Sequence, residues 1–151
     1  MRFIETLEPP KPIRLKTVLD LKPQLEKFFR SLPVEMVFLH GSLAKDNLKP
    51  LSDIDVAVLF KEKRYDYKHF TKITEKLAEL FGREDIDLAV LNKASSILGM
   101  QVLKNGRLLF CRSQKTLKLF RLRTIQRYLS TKFLRVRFSQ YAKAAILGGR
   151  P

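Results

Sequence analysis

Two aspartates, Asp53 and Asp55, stand at the head of the most strand-like run in this chain, DIDVAVLF (53–60). Side chains of a strand alternate between faces, so residues at i and i+2 project from one side, about 7 Å apart at roughly 3.3–3.4 Å of rise per residue. Left to themselves the two carboxylates repel each other. The placement makes physical sense if something doubly positive normally sits between them.

Asp-x-Asp alone is a common accident, and its neighbourhood narrows the reading. Gly41-Ser42 lies upstream with ten residues between Ser42 and Asp53, directly after a second β-branched and aromatic run, VEMVFLH (34–40). A third strand-like run, DIDLAVL (85–91), brings Asp85 and Asp87, again on one face. This set suits a nucleoside triphosphate. Gly41 lets a phosphate approach the backbone, Ser42 adds a hydroxyl donor, and a helical turn started by SLAKD would turn free amides toward the phosphates. Asp53 and Asp55 offer the hard oxygens that Mg²⁺ takes alongside substrate phosphates. A third carboxylate would complete a two-metal site or orient a hydroxyl nucleophile, and both Asp85 and Asp87 qualify. The bland alternative, two loop-ending carboxylates that accept amide hydrogen bonds, leaves the Gly-Ser pair and the third strand unexplained.

The rest of the chain alternates helix with strand. Residues 1–12 carry three prolines and read as extended. From Leu21, the apolar Leu25, Phe28, Phe29 and Leu32 keep helical spacing, with Pro23 tolerable in the first turn and Pro33 a stop. Residues 46–52 read as a loop. Residues 66–81 set Phe70, Ile73, Leu77, Leu80 and Phe81 on one stripe, closed by Gly82. Ser95 caps a helix to about Lys104, Asn105-Gly106 turns the chain into RLLF (107–110), and Leu122, Ile125, Leu129, Phe133 and Val136 recur at helical steps between Thr116 and Ile146. That last stretch is one long helix, or two broken near Ser130-Thr131. The sum is an α/β (α+β) domain with a small mixed sheet of about four strands flanked by helices. Residues 1–19 form an N-terminal extension, 20–113 the core and 114–151 a basic helical segment of the same domain.

Charge divides the 151 residues unevenly. The net charge is +15, yet all fifteen acidic residues lie within 1–87, beside sixteen lysines and arginines; residues 88–151 hold fourteen basic residues and no acid. Such a field draws polyanions, nucleic acid among them, or acidic proteins. No apolar run is long enough to cross a bilayer and the start lacks a secretory pattern, so the expected location is the cytoplasm. One cysteine and two histidines exclude a disulfide framework and argue against zinc. Cys111 reads as buried and inert, His40 as a strand-end packing residue and His69 as solvated. Tyr65, Tyr67, Tyr128 and Tyr141 are conceivable acceptors of self-modification, with packing the better reading for Tyr128 and Tyr141.

Gly41-Ser42 followed by Asp53 and Asp55 resembles the signature of the polymerase-beta-type nucleotidyltransferase superfamily, and within it the minimal nucleotidyltransferase (MNT) antitoxins of HEPN/MNT toxin–antitoxin pairs. The segment IDLAVLNKASSILGMQVLKNGRLLFCRS (86–113) is similar to the family's third-aspartate strand with its following helix and turn, and LFRLRTIQRYLSTKFLRVRFSQY (119–141) to its C-terminal helix. The likeness covers roughly 20–145. It implies a protein that uses ATP and Mg²⁺ to transfer AMP to a tyrosine of a HEPN ribonuclease and so silences it. Asp53, Asp55 and Asp87 would be catalytic and metal-binding, with Asp87 favoured over Asp85 by the match, and Gly41, Ser42 and Lys45 would bind the nucleotide. The chain departs from the pattern where arginine and then glycine usually follow the Gly-Ser: here stand Lys45 and Asp46. Two rivals follow, a binding-only antitoxin with a degenerate nucleotide site and a nucleotidyltransferase acting on RNA.

Overall fold

The computed structural model describes residues 10–62 and 64–148. Of the proline-rich start, 1–9 lie outside the described residues, and 10–14 form neither helix nor strand. The elements run α1 (Leu15–Asp20), α2 (Lys22–Arg30), β1 (Val34–His40), α3 (Gly41–Ala44), β2 (Ile54–Phe60), α4 (Tyr67–Phe81), β3 (Ile86–Val90), α5 (Ser96–Asn105), β4 (Arg107–Cys111) and α6 (Gln114–Ile146). A 3-10 turn at Leu91–Lys93 separates β3 from α5.

The four strands form one sheet in the order β3-β2-β1-β4. β1 pairs antiparallel with β2 and β4, whereas β2 and β3 are parallel and need the crossover that α4 supplies. Alternation along each strand builds two cores. On one face Val37, Leu39, Val56 and Val58 join Leu25 and Phe29 of α2 and Ile73, Leu77 and Phe81 of α4. On the other, Met36, Phe38 and Ala57 join Val102 of α5 and Leu117 of α6. This is the mixed, helix-flanked sheet with a long basic C-terminal helix that the sequence pattern implies.

Local chemistry sets the helix ends. Asp66 accepts from the His69 amide at 3.1 Å, and His69 Nδ1 accepts from the Asp66 amide at 3.2 Å, a reciprocal cap at the start of α4. His69 is therefore engaged in the cap, not merely solvated. Gly82 ends α4 in the left-handed region at φ 67°, and Ser95 caps α5 through the Leu98 amide. The hydroxyls of Ser130 and Thr131 bond back to the Arg127 carbonyl, so the local alternative to helix is absorbed and α6 runs unbroken.

Other residues depart from their sequence reading. Within the stretch read as an N-terminal extension, α1 forms and Val18 is fully buried. Cys111 is only half-buried and donates to the Ser113 carbonyl. Tyr141 is 48% exposed and does not pack. Tyr128 is half-buried, with the Arg135 guanidinium 3.9 Å from its ring centre. Arg112 reaches the carbonyls of Phe29, Arg30, Leu32 and Val34, tying the end of α2 to the start of β1. Beyond its first turns α6 leaves the sheet: only Leu117 and Thr124 are buried, and Leu122, Ile125, Leu129, Phe133 and Val136 all face solvent.

Candidate active site

Strand register puts three titratable side chains in one row. His40, the last residue of β1, stands opposite Asp55 on β2, and Asp55 stands opposite Asp87 on β3. All three follow the alternation of Phe38 and Ala57, so they share the sheet face that α5 and α6 cover further along. Asp55 and Asp87 are cross-strand neighbours, close enough for Asp87 to raise the Asp55 carboxyl, and Asp53, exposed one residue before β2, adds its charge. Burial, more than any neighbour, raises the Asp55 carboxyl above the usual carboxylate range; His40 works against the rise, and Asp87 and Asp53 add to it. The row is short of positive charge.

His40 sits on the other side of that balance. Burial holds its imidazole below the ordinary histidine range against the pull of Asp55 and Asp87, and its Nε2 is buried without a hydrogen-bond partner. Strand-end packing explains its position but leaves that nitrogen unanswered. The signal available in the sequence was its adjacency to Gly41 at the strand end, which alternation alone does not convert into a contact with Asp55.

The backbone closes on the row at Gly41. Its φ is +69°, and a Cβ there would lie 2.2 Å from Asp55 Oδ2, so any larger residue meets both strain and the carboxylate. Gly41 opens the single helical turn α3, whose first amides have no helical acceptor. Ser42 is half-buried; its carbonyl accepts from the Asn47 amide at 2.9 Å and folds the loop back on itself. Lys45 is exposed at the end of α3 and joins no ion pair among the described residues.

Asp46 has a different part. It adopts φ 53°, a conformation that glycine takes freely and that Asp tolerates better than most residues. Its carboxylate accepts from Arg14 Nη2 and from the Leu15 amide, both at 3.0 Å, which caps α1 from 31 residues away. The departure at Lys45-Asp46 thus keeps the backbone turn and turns its side chain to the N-terminal helix.

Asp85 is also committed elsewhere. The buried Arg83 guanidinium grips it through Nε at 2.8 Å and through Nη2, holding the Asp85 carboxyl below the usual range. Arg83 Nη2 further donates to the Ser52 carbonyl at 3.0 Å, immediately before Asp53. Arg83 therefore braces the loop that presents Asp53, a function invisible in the sequence, where it reads as an ordinary cation after a helix-ending glycine.

No three His, Cys, Asp or Glu side chains form a ready metal cage among the described residues. The donor set still fits Mg²⁺, which takes one or two protein carboxylates and completes its shell with substrate phosphates and water. A cavity of about 880 Å³ lies elsewhere, among Phe60, Tyr65, Asn92, Arg123 and Arg127, and none of the aspartates lines it. Asp55 and Phe60 sit toward opposite ends of β2, so the carboxylate row is an open rim at one sheet end.

Residues 23–115 match the profile of the family described as Polymerase beta, Nucleotidyltransferase. The chain is 32% identical over 95 residues to the protein adenylyltransferase MntA of Shewanella oneidensis, a stretch covering 63% of this chain and 66% of that relative, just short of two thirds of its length. Among solved structures it resembles a toxin–antitoxin complex with AMP-PNP, at 28% identity and a TM-score of 0.69, over 82% of this chain and 98% of that one. It also resembles a complex of tri-AMPylated Shewanella oneidensis HEPN toxin with MNT antitoxin, at 26% identity and a TM-score of 0.66, over 84% of this chain and 99% of the other. With its Gly-Ser turn set against an aspartate row and more than half its length inside the family's profile, the chain belongs to the polymerase beta nucleotidyltransferase family.

Proposed function

We propose that this protein is an antitoxin that transfers AMP from ATP to a tyrosine of a HEPN-family toxin and thereby silences it in the cytoplasm. The observation that carries the reading is the pairing of Asp55 with Asp87 across β2 and β3, with Asp53 one residue before β2, at the turn where Gly41 meets Asp55. The relatives named above support the acceptor and the nucleotide.

Gly41 and Ser42 hold the triphosphate against the backbone, and Lys45 reaches it as a point charge. Asp53 and Asp55, with Asp87, would hold Mg²⁺, which would neutralise phosphate charge there. The tyrosine oxygen forms a bond to the α-phosphorus as the bond from that phosphorus to the β-bridging oxygen breaks. Diphosphate leaves, and the phenolic proton passes to a carboxylate of the row or to water. Asp87, on the edge strand β3, orients the hydroxyl in this reading.

Incubation of the protein with toxin, ATP and Mg²⁺ tests this by intact mass. A gain of one or more AMP groups on the toxin, lost in Asp53→Ala, supports transfer; unmodified toxin with the wild-type protein contradicts it. The rival reading, an antitoxin that acts by covering its target, starts from Lys45 and Asp46 standing where arginine and glycine are usual, and it predicts silencing by Asp53→Ala as complete as by wild type. The acid-free second half leaves RNA as the other possible partner, with binding that weakens steeply as salt rises.

A further inference from the structure

The exposed face of α6 is patterned for a partner of a particular chemistry. Leu122, Ile125, Leu129, Phe133 and Val136 are 53%, 42%, 60%, 66% and 48% exposed. Their steps of three and four residues put them along one side of the helix, about a third of the way round from the side on which Leu117 and Thr124 are buried. The stripe is about 21 Å long at 1.5 Å per residue. That spacing is the seam of a helix–helix contact, and a solvated helix has no use for it.

The borders of the seam are all of one sign. Lys118, Arg121, Lys132 and Arg137 flank it, all exposed, and none of the described ion pairs involves α6. Arg137 leans over the Phe133 ring at 5.6 Å, a cation–π contact within the stripe itself. A second copy of α6 laid against the first would set lysine and arginine against lysine and arginine, which disfavours self-pairing. RNA would use the cations but not five aliphatic and aromatic side chains in a helical seam. The occupant that answers both features is a protein helix with an apolar seam and acidic borders.

We infer that α6 between Leu122 and Val136 is the surface on which this protein docks an acidic amphipathic helix of the partner it modifies. The inference rests on the proposed function for the identity of that partner and on α6 for its chemistry. Docking there leaves the aspartate row free, because the row lies on the sheet and the stripe faces away from the side of α6 that packs.

Affinity for the purified HEPN-family toxin, measured by calorimetry with the full chain, tests the inference. Leu129→Ala and Phe133→Ala each weaken binding about ten- to thirty-fold, as central apolar anchors do. Lys118→Glu with Lys132→Glu slows association and flattens its salt dependence. Both stripe residues are exposed in the free chain, so a circular-dichroism melt unchanged from wild type excludes misfolding as the cause. Toxin affinity unchanged in all three variants overturns the inference, as does a loss traced by sedimentation to a broken homodimer, or a stripe that proves necessary for RNA and not for toxin. The two proposals fail separately: AMP transfer by wild type with normal binding by the variants removes the docking surface alone, whereas lost binding in the variants without AMP transfer by wild type removes the enzyme alone.

Discussion

The aspartate end of the sheet and the outer half of α6 are opposites. The first gathers negative charge that lacks a counterion, at the end of a sheet whose central strands are buried; the second carries positive charge and apolar surface that lack a partner, on the side of a helix turned away from α5. At the sheet end, incompleteness points to a small ligand, a cation with a nucleotide. On α6 it points to a second macromolecule, because a 21 Å seam, estimated at about 1.5 Å per residue, is far larger than any nucleotide contact needs. Unsatisfied charge and unsatisfied apolar area thus report different kinds of binding, even in one chain.

Substitutions sharpen this contrast by breaking one region and sparing the other. The largest effect belongs to Asp55→Ala, which lowers AMP transfer by about a thousandfold or more by mass spectrometry while leaving toxin affinity within about twofold. Phe29→Ala, in the core between α2 and the sheet, destabilises by about 3–5 kcal/mol in urea denaturation, whereas Phe133→Ala on α6 changes stability by less than about 0.5 kcal/mol. A comparable loss in both would mean that α6 packs in solution in a way the structure does not show.

Asp85→Asn, which leaves the buried Arg83 without its carboxylate, costs about 3 kcal/mol. The sign of its pH dependence is fixed. The folded carboxyl is held below its unfolded value near about 3.9, so its stabilisation is complete above that value and is lost as pH falls through the folded one. The stability gap between wild type and Asp85→Asn is thus flat from about pH 5 to 7 and narrows below about pH 4, as urea melts across that range would read. Gly41→Ala has the smallest expected loss of stability among these site changes, about 1–2 kcal/mol, yet it displaces Asp55 and lowers transfer about a hundredfold.

How far the sequence speaks differs between the same two regions. Strand alternation pointed to Asp55 at the mouth of β2, and cap chemistry at Ser95 and Gly82 marked helix ends, because each signal is local. What lay beyond reach was long-range. Asp85 and Asp87 are equivalent by spacing, and only the fold reveals that Arg83 occupies the first while the second stands opposite Asp55. Arg112 serves carbonyls some 80 residues earlier, yet in the sequence it is one cation among fourteen in the acid-free half. The spacing of Leu122 through Val136 showed that they share a face of a helix. Periodicity does not say whether another element of the same chain covers that face, and here none among the described residues does.

Catalysis at this site requires the three aspartates to act together on a magnesium-loaded nucleotide. Calorimetric titration of the protein with AMP-PNP, with and without Mg²⁺, tests that directly in wild type and in Asp55→Asn. Binding that requires Mg²⁺ in wild type and disappears in Asp55→Asn is the predicted result. Nucleotide binding indifferent to Mg²⁺, or equally tight in the variant, would contradict it.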